Sequence, residues 1–251
     1  AYYQFILLLR LGSLMRNRIA EATVAATLLL LSGCSGPFST LDPAGPAAES
    51  ILALTWTMII VGLAVLIGVT LLWLYAMRRK TRKISEDEAQ RIQNRWILSG
   101  GIALPTIAIA LLLAFGIPIG HSMLPLPLKQ GQPLHINVKA HQWYWQFSYP
   151  DNDIQLVDEI HIPVNTPVDF HITSEDVIHS FWLPRLGGKV DAIPGRTNVL
   201  RIEVAQTGEY RGHCAEFCGR DHAFMQFKVI AHTDKEFEEW LQQQEGSENN
   251  D

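Results

Sequence analysis

Between Tyr210 and Val229 the chain reads YRGHCAEFCGRDHAFMQFKV, and twelve residues of it carry Cys214, Glu216, Cys218, His222 and Met225. Two thiolates, an imidazole and a thioether so close together are soft donors, suited to copper rather than to magnesium or calcium. The spacing is C-x-E-x-C-x3-H-x2-M. A zinc ribbon pairs one C-x2-C with a second, and no second pair exists here. A disulfide between Cys214 and Cys218 is the simpler alternative, and it gives no reason for His222 and Met225 at these offsets.

Composition bounds what surrounds this stretch. The 251 residues have a mean hydropathy of +0.10, and the apolar ones are unevenly placed. Two long apolar runs in the first half mark a membrane protein with a water-exposed part. From His121 onward 19 acidic residues face 10 Lys and Arg. An acidic outer part favours basic partners and argues against nucleic acid, which requires a basic surface. Much of that acid lies in the tail after Thr233, where solvation alone would account for it.

Taken in order, the chain begins with 14 residues before Met15, which reads as the true start. Arg16, Arg18 and an apolar run to Leu31 then form a signal peptide. Leu31-Ser32-Gly33-Cys34 closes it in a pattern similar to bacterial lipoprotein signals, which makes Cys34 the candidate lipidated N-terminus and a membrane lipid its partner. An uncleaved anchor helix is the alternative. Residues 34–49, rich in Pro, Gly, Ala and Ser, read as an extended linker. The hairpin region is 50–120, with helices over 51–77 and 96–119. Between the two helices lie seven basic and three acidic residues, which the positive-inside rule places in the cytoplasm. Both hairpin ends then face outside, as a lipid on Cys34 also requires.

From residue 129 to 232 short alternating segments are separated by turn signals such as Pro150-Asp151-Asn152 and Gly187-Gly188. They predict an all-β Greek-key sandwich, with Ile154–Ile162 read as one strand. Residues 233–251 form a terminal helix and tail, with Thr233 or Asp234 as the cap.

Four motifs carry a resemblance to a known family. HQWYW at 141–145, SEDVIHSFWLP at 174–184, VDAIPGR at 190–196 and GHCAEFCGRDHAFM at 212–225 resemble subunit II of the haem–copper cytochrome c oxidases. The resemblance implies a two-helix transmembrane hairpin followed by a cupredoxin-like domain holding the dinuclear copper A centre. It implies that Cys214 and Cys218 bridge two coppers. His179 and Met225 would complete one, and His222 with the backbone carbonyl of Glu216 the other. Trp143 would receive the electron from cytochrome c, and subunit I would hold the haem and the oxygen-reducing site. No catalytic residue is then expected in this subunit. The Glu216 side chain would help hold magnesium at the subunit I boundary, near Asp191 and Arg196 of VDAIPGR. A turn held by an Asp191–Arg196 ion pair is the plainer reading of that motif.

Further residues carry weaker expectations. Asp151, Asp153, Asp158 and Glu159 could complement a basic cytochrome. Phe181, Trp182, Phe217 and Phe224 either keep water from the metal or belong to ordinary packing. His121, His135, His161, His171, His213 and His232 fit no ligand role. The family often places a Glu seven residues before the Pro of its second membrane helix. Here Leu98 stands there, so that proton route is not expected. Relatives that oxidise quinol share the fold and lack the copper ligands; all of those ligands are present here. A nitric oxide reductase subunit and a membrane-tethered copper-delivery module are the remaining alternatives, the latter having no use for the Trp143 motif.

Overall fold

The computed structural model describes residues 35–80, 84–128 and 131–248, together with Arg18, Glu21 and Thr23. Cys34, Met15 and the core of the expected signal peptide lie outside the described residues.

Helix α1 spans Pro46–Arg78. Gly45 precedes it in an extended conformation and Pro46 occupies the first turn, where a missing N–H costs nothing. No charged residue interrupts Ile51 to Met77, and none of the most apolar stretch is buried by protein. Thr55, Thr57 and Thr70 each donate their hydroxyl to the carbonyl four residues back. No polar hydrogen on these three is left facing apolar surroundings.

The second helical stretch runs from Glu86 to Ser122. It starts about three turns before the expected span. Ser85 caps it by accepting from the Glu88 backbone N–H at 3.2 Å, and Glu86, Asp87 and Glu88 fill the first turn. It comprises α2 (Glu86–Trp96), a π-helical segment over Ile97–Ala103, and α3 (Leu104–Ser122). The π segment contains Gly100 and Gly101 and precedes Pro105. A proline has no N–H for its own turn, and widening the preceding turn is one way to accommodate it.

Ten strands follow: β1 Leu134–His141, β2 Tyr144–Tyr149, β3 Ile154–Val157, β4 Glu159–Pro163, β5 Val168–Ser174, β6 His179–Trp182, β7 Lys189–Ala192, β8 Asn198–Ile202, β9 Gly208–Cys214 and β10 Gln226–His232. They form two five-stranded sheets, ordered β3-β2-β1-β5-β8 and β4-β10-β9-β6-β7. The expected single strand over 154–162 is two strands, one in each sheet. Asp158 breaks it with φ of 54°, and its side chain accepts the Trp145 N–H at 2.7 Å. Period-2 alternation buries Ile136, Val138 and Ala140 on β1 and Trp145, Phe147 and Tyr149 on β2. Between the sheets Phe147 and Phe170 meet Phe181 and Phe227.

Helix α4, Asp234–Glu248, closes the domain. Thr233 is its cap, and Glu236 reaches back to the Thr233 N–H at 2.9 Å in a capping box. Phe237 and Trp240 are buried, and Trp240 lies flat on His161 at 4.2 Å.

The segment before α1 is packed rather than free. Ala44 N–H donates to the Arg185 carbonyl at 2.7 Å, and Ala205 N–H donates to the Ala44 carbonyl at 3.0 Å. Arg185 also pairs with Asp42 at 3.0 Å. Residues 35–45, within the stretch 34–49 expected as an extended linker, are a strap on the β domain.

Candidate metal centre

Three pieces of backbone converge at one end of the sandwich. β6 supplies His179, β9 ends at Cys214, and the loop from 215 to 225 carries the remaining donors before β10 begins. The joint between β6 and β9 is two residue pairs long, Phe181 opposite Cys214 and Trp182 opposite His213. Ala215 N–H extends it by donating to the Ser180 carbonyl at 2.9 Å. The loop is closed at its far end by Cys214 N–H donating to the Met225 carbonyl at 3.0 Å.

The side chains meet in a continuous cluster. Cys214 Sγ is 3.8 Å from His179 Nδ1, 3.1 Å from the Glu216 carbonyl and 3.8 Å from Cys218 Sγ. Cys218 Sγ is 3.5 Å from His222 Nδ1 and 3.8 Å from Met225 Sδ. His179, Cys214, Cys218 and Met225 are buried. The sulfurs are too far apart for a disulfide, whose S–S length is about 2.05 Å, so the Cys214–Cys218 disulfide is set aside. Their separation is below twice a metal–thiolate bond of about 2.3 Å, so one ion can touch both. Every expected ligand is brought into this cluster. The donor set, two thiolates, two imidazole Nδ1 atoms, a thioether and a carbonyl, fits copper by softness.

The electrostatics favour one thiolate at the outset. Burial pushes the Cys214 thiol up, but hydrogen bonds from His179, the backbone at Ser180 and Glu216, and His222 outweigh it and lower it. Burial and the neighbouring Cys214 charge raise Cys218. A dication is what would let both ionise. Burial lowers His179, yet its bonds to Cys214 and Asp176 raise it overall.

Asp176 and Gln142 support the site from behind. Asp176 accepts from His179 Nε2 at 2.9 Å and from the Gln142 N–H at 2.7 Å. Gln142 Nε2 donates to the Cys218 carbonyl at 2.7 Å, and Trp143 Nε1 reaches the same oxygen at 3.3 Å. Neither Asp176 nor Gln142 is among the site residues expected from the sequence. An acid three residues before a ligand histidine was the available signal for Asp176. Trp143 is half-buried, with the Arg220 guanidinium 5.5 Å above its ring.

Several expectations change. Phe217 and Phe224 are 77% and 81% exposed, and Phe217 lies edge-on to the His222 ring at 5.7 Å; Phe181 lies in the core opposite Cys214. Asp158 and Glu159 are engaged within the fold, with Trp145 and His161 respectively, while Asp151 and Asp153 are exposed. Asp191 and Arg196 form no ion pair among the described residues. The turn at Gly195, with φ of 73°, is held instead by Arg196 N–H donating to the Ile193 carbonyl. The Glu216 side chain is exposed.

A β-sandwich on a pair of long apolar helices, with a soft-donor cluster at its edge, defines a membrane-anchored protein of the cupredoxin-like class. The family model "Cytochrome C oxidase subunit II, periplasmic domain" matches residues 153–232. Cytochrome c oxidase subunit 2 of Alkalihalophilus pseudofirmus is 35% identical over 223 residues, 85% of this chain and 65% of that protein. Ubiquinol oxidase subunit 2 of Acetobacter aceti is 34% identical over 242 residues, covering 92% of this chain and 76% of that protein. The crystal structure of the periplasmic domain of subunit II of cytochrome oxidase from Bradyrhizobium japonicum shares 36% identity. It covers 48% of this chain and 99% of that one, with a TM-score of 0.45. The chain belongs to the subunit II family of haem–copper oxidases, whose members here include both cytochrome c and quinol oxidases.

Proposed function

We propose that this subunit accepts electrons from cytochrome c at a dinuclear copper A centre and passes them to haem in subunit I, where oxygen is reduced to water with proton translocation. The observation that carries the reading is the convergence of His179, Cys214, Glu216, Cys218, His222 and Met225 on one cluster. A quinol-oxidising subunit has no use for these six donors, so their presence favours cytochrome c as donor over the quinol named for the Acetobacter relative. Bound here, the copper pair would carry one electron shared between two metals. Cys214 and Cys218 would bridge it, His179 and Met225 would hold one copper, and His222 and the Glu216 carbonyl the other.

The protein's own groups set the conditions for that transfer. Asp176 keeps the His179 proton on Nε2, so that Nδ1 faces the sulfurs. Burial by Phe181 and Trp145 limits water at the cluster. Trp143 is the proposed electron acceptor on the outer side, since its indole N–H bonds the carbonyl of Cys218 itself. Exposed Asp151 and Asp153 supply charge for a basic cytochrome. Exposed Phe217 and Phe224, on the ligand loop, offer an apolar face to subunit I. The exposed Glu216 carboxylate would take magnesium at that boundary. The copper domain would face the periplasm, with the 78–95 connection in the cytoplasm and Cys34 as a lipid anchor.

The test is the EPR spectrum of the full chain in detergent after copper loading. One electron shared equally between two copper nuclei splits into seven lines, against four for a single blue-copper ion. Four lines, or no copper uptake, would remove the proposal. Stopped-flow reduction by cytochrome c should slow sharply in Trp143→Ala; an unchanged rate would reject Trp143.

A further inference from the structure

The strap over residues 35–45 reaches the metal-binding end of the domain through the Phe38 ring, with Thr40 beside Trp182. Phe38 packs on His213 with ring centres 4.9 Å apart. His213 in turn meets Trp182 edge-to-face at 5.0 Å. These last two are opposite one another in the joint between β6 and β9, and the other pair in that joint is Phe181 and Cys214. Phe181 and Cys214 are buried on the inner side, while Trp182 and His213 are half-buried on the outer side beneath Phe38. β6 carries His179 and β9 carries Cys214, so this short joint sets the 3.8 Å spacing between them.

Two residue pairs and the Ala215–Ser180 bond make only a short clamp by themselves. Strand pairs draw much of their strength from side chains stacked across them, and here the outer stack is completed by a residue from a distant part of the chain. The strap is fixed in register by Ala44, through its bonds to Arg185 and Ala205, and by the Asp42–Arg185 pair. Gly45 seats it closely: a Cβ there would collide with the Glu203 carbonyl oxygen. The strap then enters α1 directly at Pro46.

We infer that Phe38 is a positioning residue for the metal centre, acting through His213 and Trp182 to hold His179 and Cys214 at ligand spacing. The inference rests on the copper reading for its consequence, and on the joint geometry alone for its mechanism. It also gives residues 35–45 a duty beyond linking: they carry the position of the membrane anchor into the geometry of the site.

The experiment compares Phe38→Ala, Phe38→Tyr and Gly45→Ala with the parent full chain in detergent. In the metal-free protein, alkylation of Cys214 and Cys218 by iodoacetamide should speed up several-fold in Phe38→Ala and Gly45→Ala and stay at the parent rate in Phe38→Tyr. In the copper-loaded protein, affinity should fall on the order of tenfold in the same two variants, with a shifted reduction potential. Unchanged alkylation, affinity and potential, even with a lowered melting temperature, would make the strap a structural brace only and overturn the inference. A parent chain that takes up no copper would defeat the copper reading instead, and the alkylation rates would still decide the role of Phe38.

Discussion

Asp176 Oδ1 lies 2.9 Å from His179 Nε2, and the other nitrogen of the same ring faces Cys214. A ligand histidine held by a carboxylate has its tautomer and ring angle fixed before the metal arrives. Burial raises the Asp176 carboxyl, but hydrogen bonds from His179, Val177 and Gln142 outweigh it and leave it lowered. Asp176→Asn should therefore weaken copper binding by roughly 10- to 100-fold while the sandwich stays folded. Competition against a copper chelator measures this, and parent-like affinity would show that Asp176 does not orient the ring.

Cys218 sits at the centre of the cluster, in contact with Cys214, His222 and Met225. Cys218→Ser replaces the shared soft donor with a hard one. The seven-line signal should disappear, leaving a single-copper spectrum or none. Persistence of seven lines would exclude a bridging role.

The terminal helix gives a pH prediction. His161 Nδ1 and His232 Nε2 are 2.7 Å apart with ring centres at 5.0 Å, so the two rings point their nitrogens directly at each other. Glu159 takes the other His161 nitrogen, Tyr149 bonds the His161 backbone, and Glu236 lies near His232. Burial lowers both histidines; Glu159 only partly opposes this for His161, as Glu236 does for His232. The folded state thus resists protons that the unfolded chain accepts near pH 6.5. Stability should be full above that value and fall as pH drops through it, by up to about 1.4 kcal/mol per pH unit per proton. Melting temperature between pH 8 and 5 checks this. His161→Gln with His232→Gln should flatten the slope, and an equally steep slope in that variant would place the titration elsewhere.

Gly212 lies directly opposite Phe227 across β9 and β10, and the phenyl ring covers it. A Cβ at that position would collide with the ring. Gly212→Ala should destabilise by about 1–3 kcal/mol through overpacking. Denaturant unfolding is the measure, and a neutral result would mean the ring swings aside at no cost.

The parts of the fold that were readable share a local cause. Helix α1 follows from an uninterrupted apolar run, β1 and β2 from strict alternation, and the terminal helix from Thr233 or Asp234 as cap before a narrow apolar stripe. The soft-donor cluster was readable because four of its side chains fall within twelve residues. What was not readable depends on distance along the chain. The strap resembles a linker by composition, and its partners Arg185 and Ala205 are far away; the Asp42–Arg185 bond spans 143 residues. β9 is hard to read in the sequence because Gly208 and Gly212 weaken its strand pattern, although Phe227 fills the gap at Gly212. The early start of α2 was signalled by Ser85 and the three acids after it, outweighed in the reading by their polarity.

Arg201 holds Asp169 through two nitrogens at 2.6 Å and also donates to the Leu126 carbonyl, just beyond α3. Ala44, just before α1, is held by Arg185 and Ala205. The domain is thus moored at both ends of its hairpin. A body hung from one peptide link can swivel about it; one fastened at two separate points loses that rotation. The loop bearing Phe217 and Phe224 is therefore restrained against turning about the two helices, and a partner lying against those helices would meet a preferred face of the donor cluster.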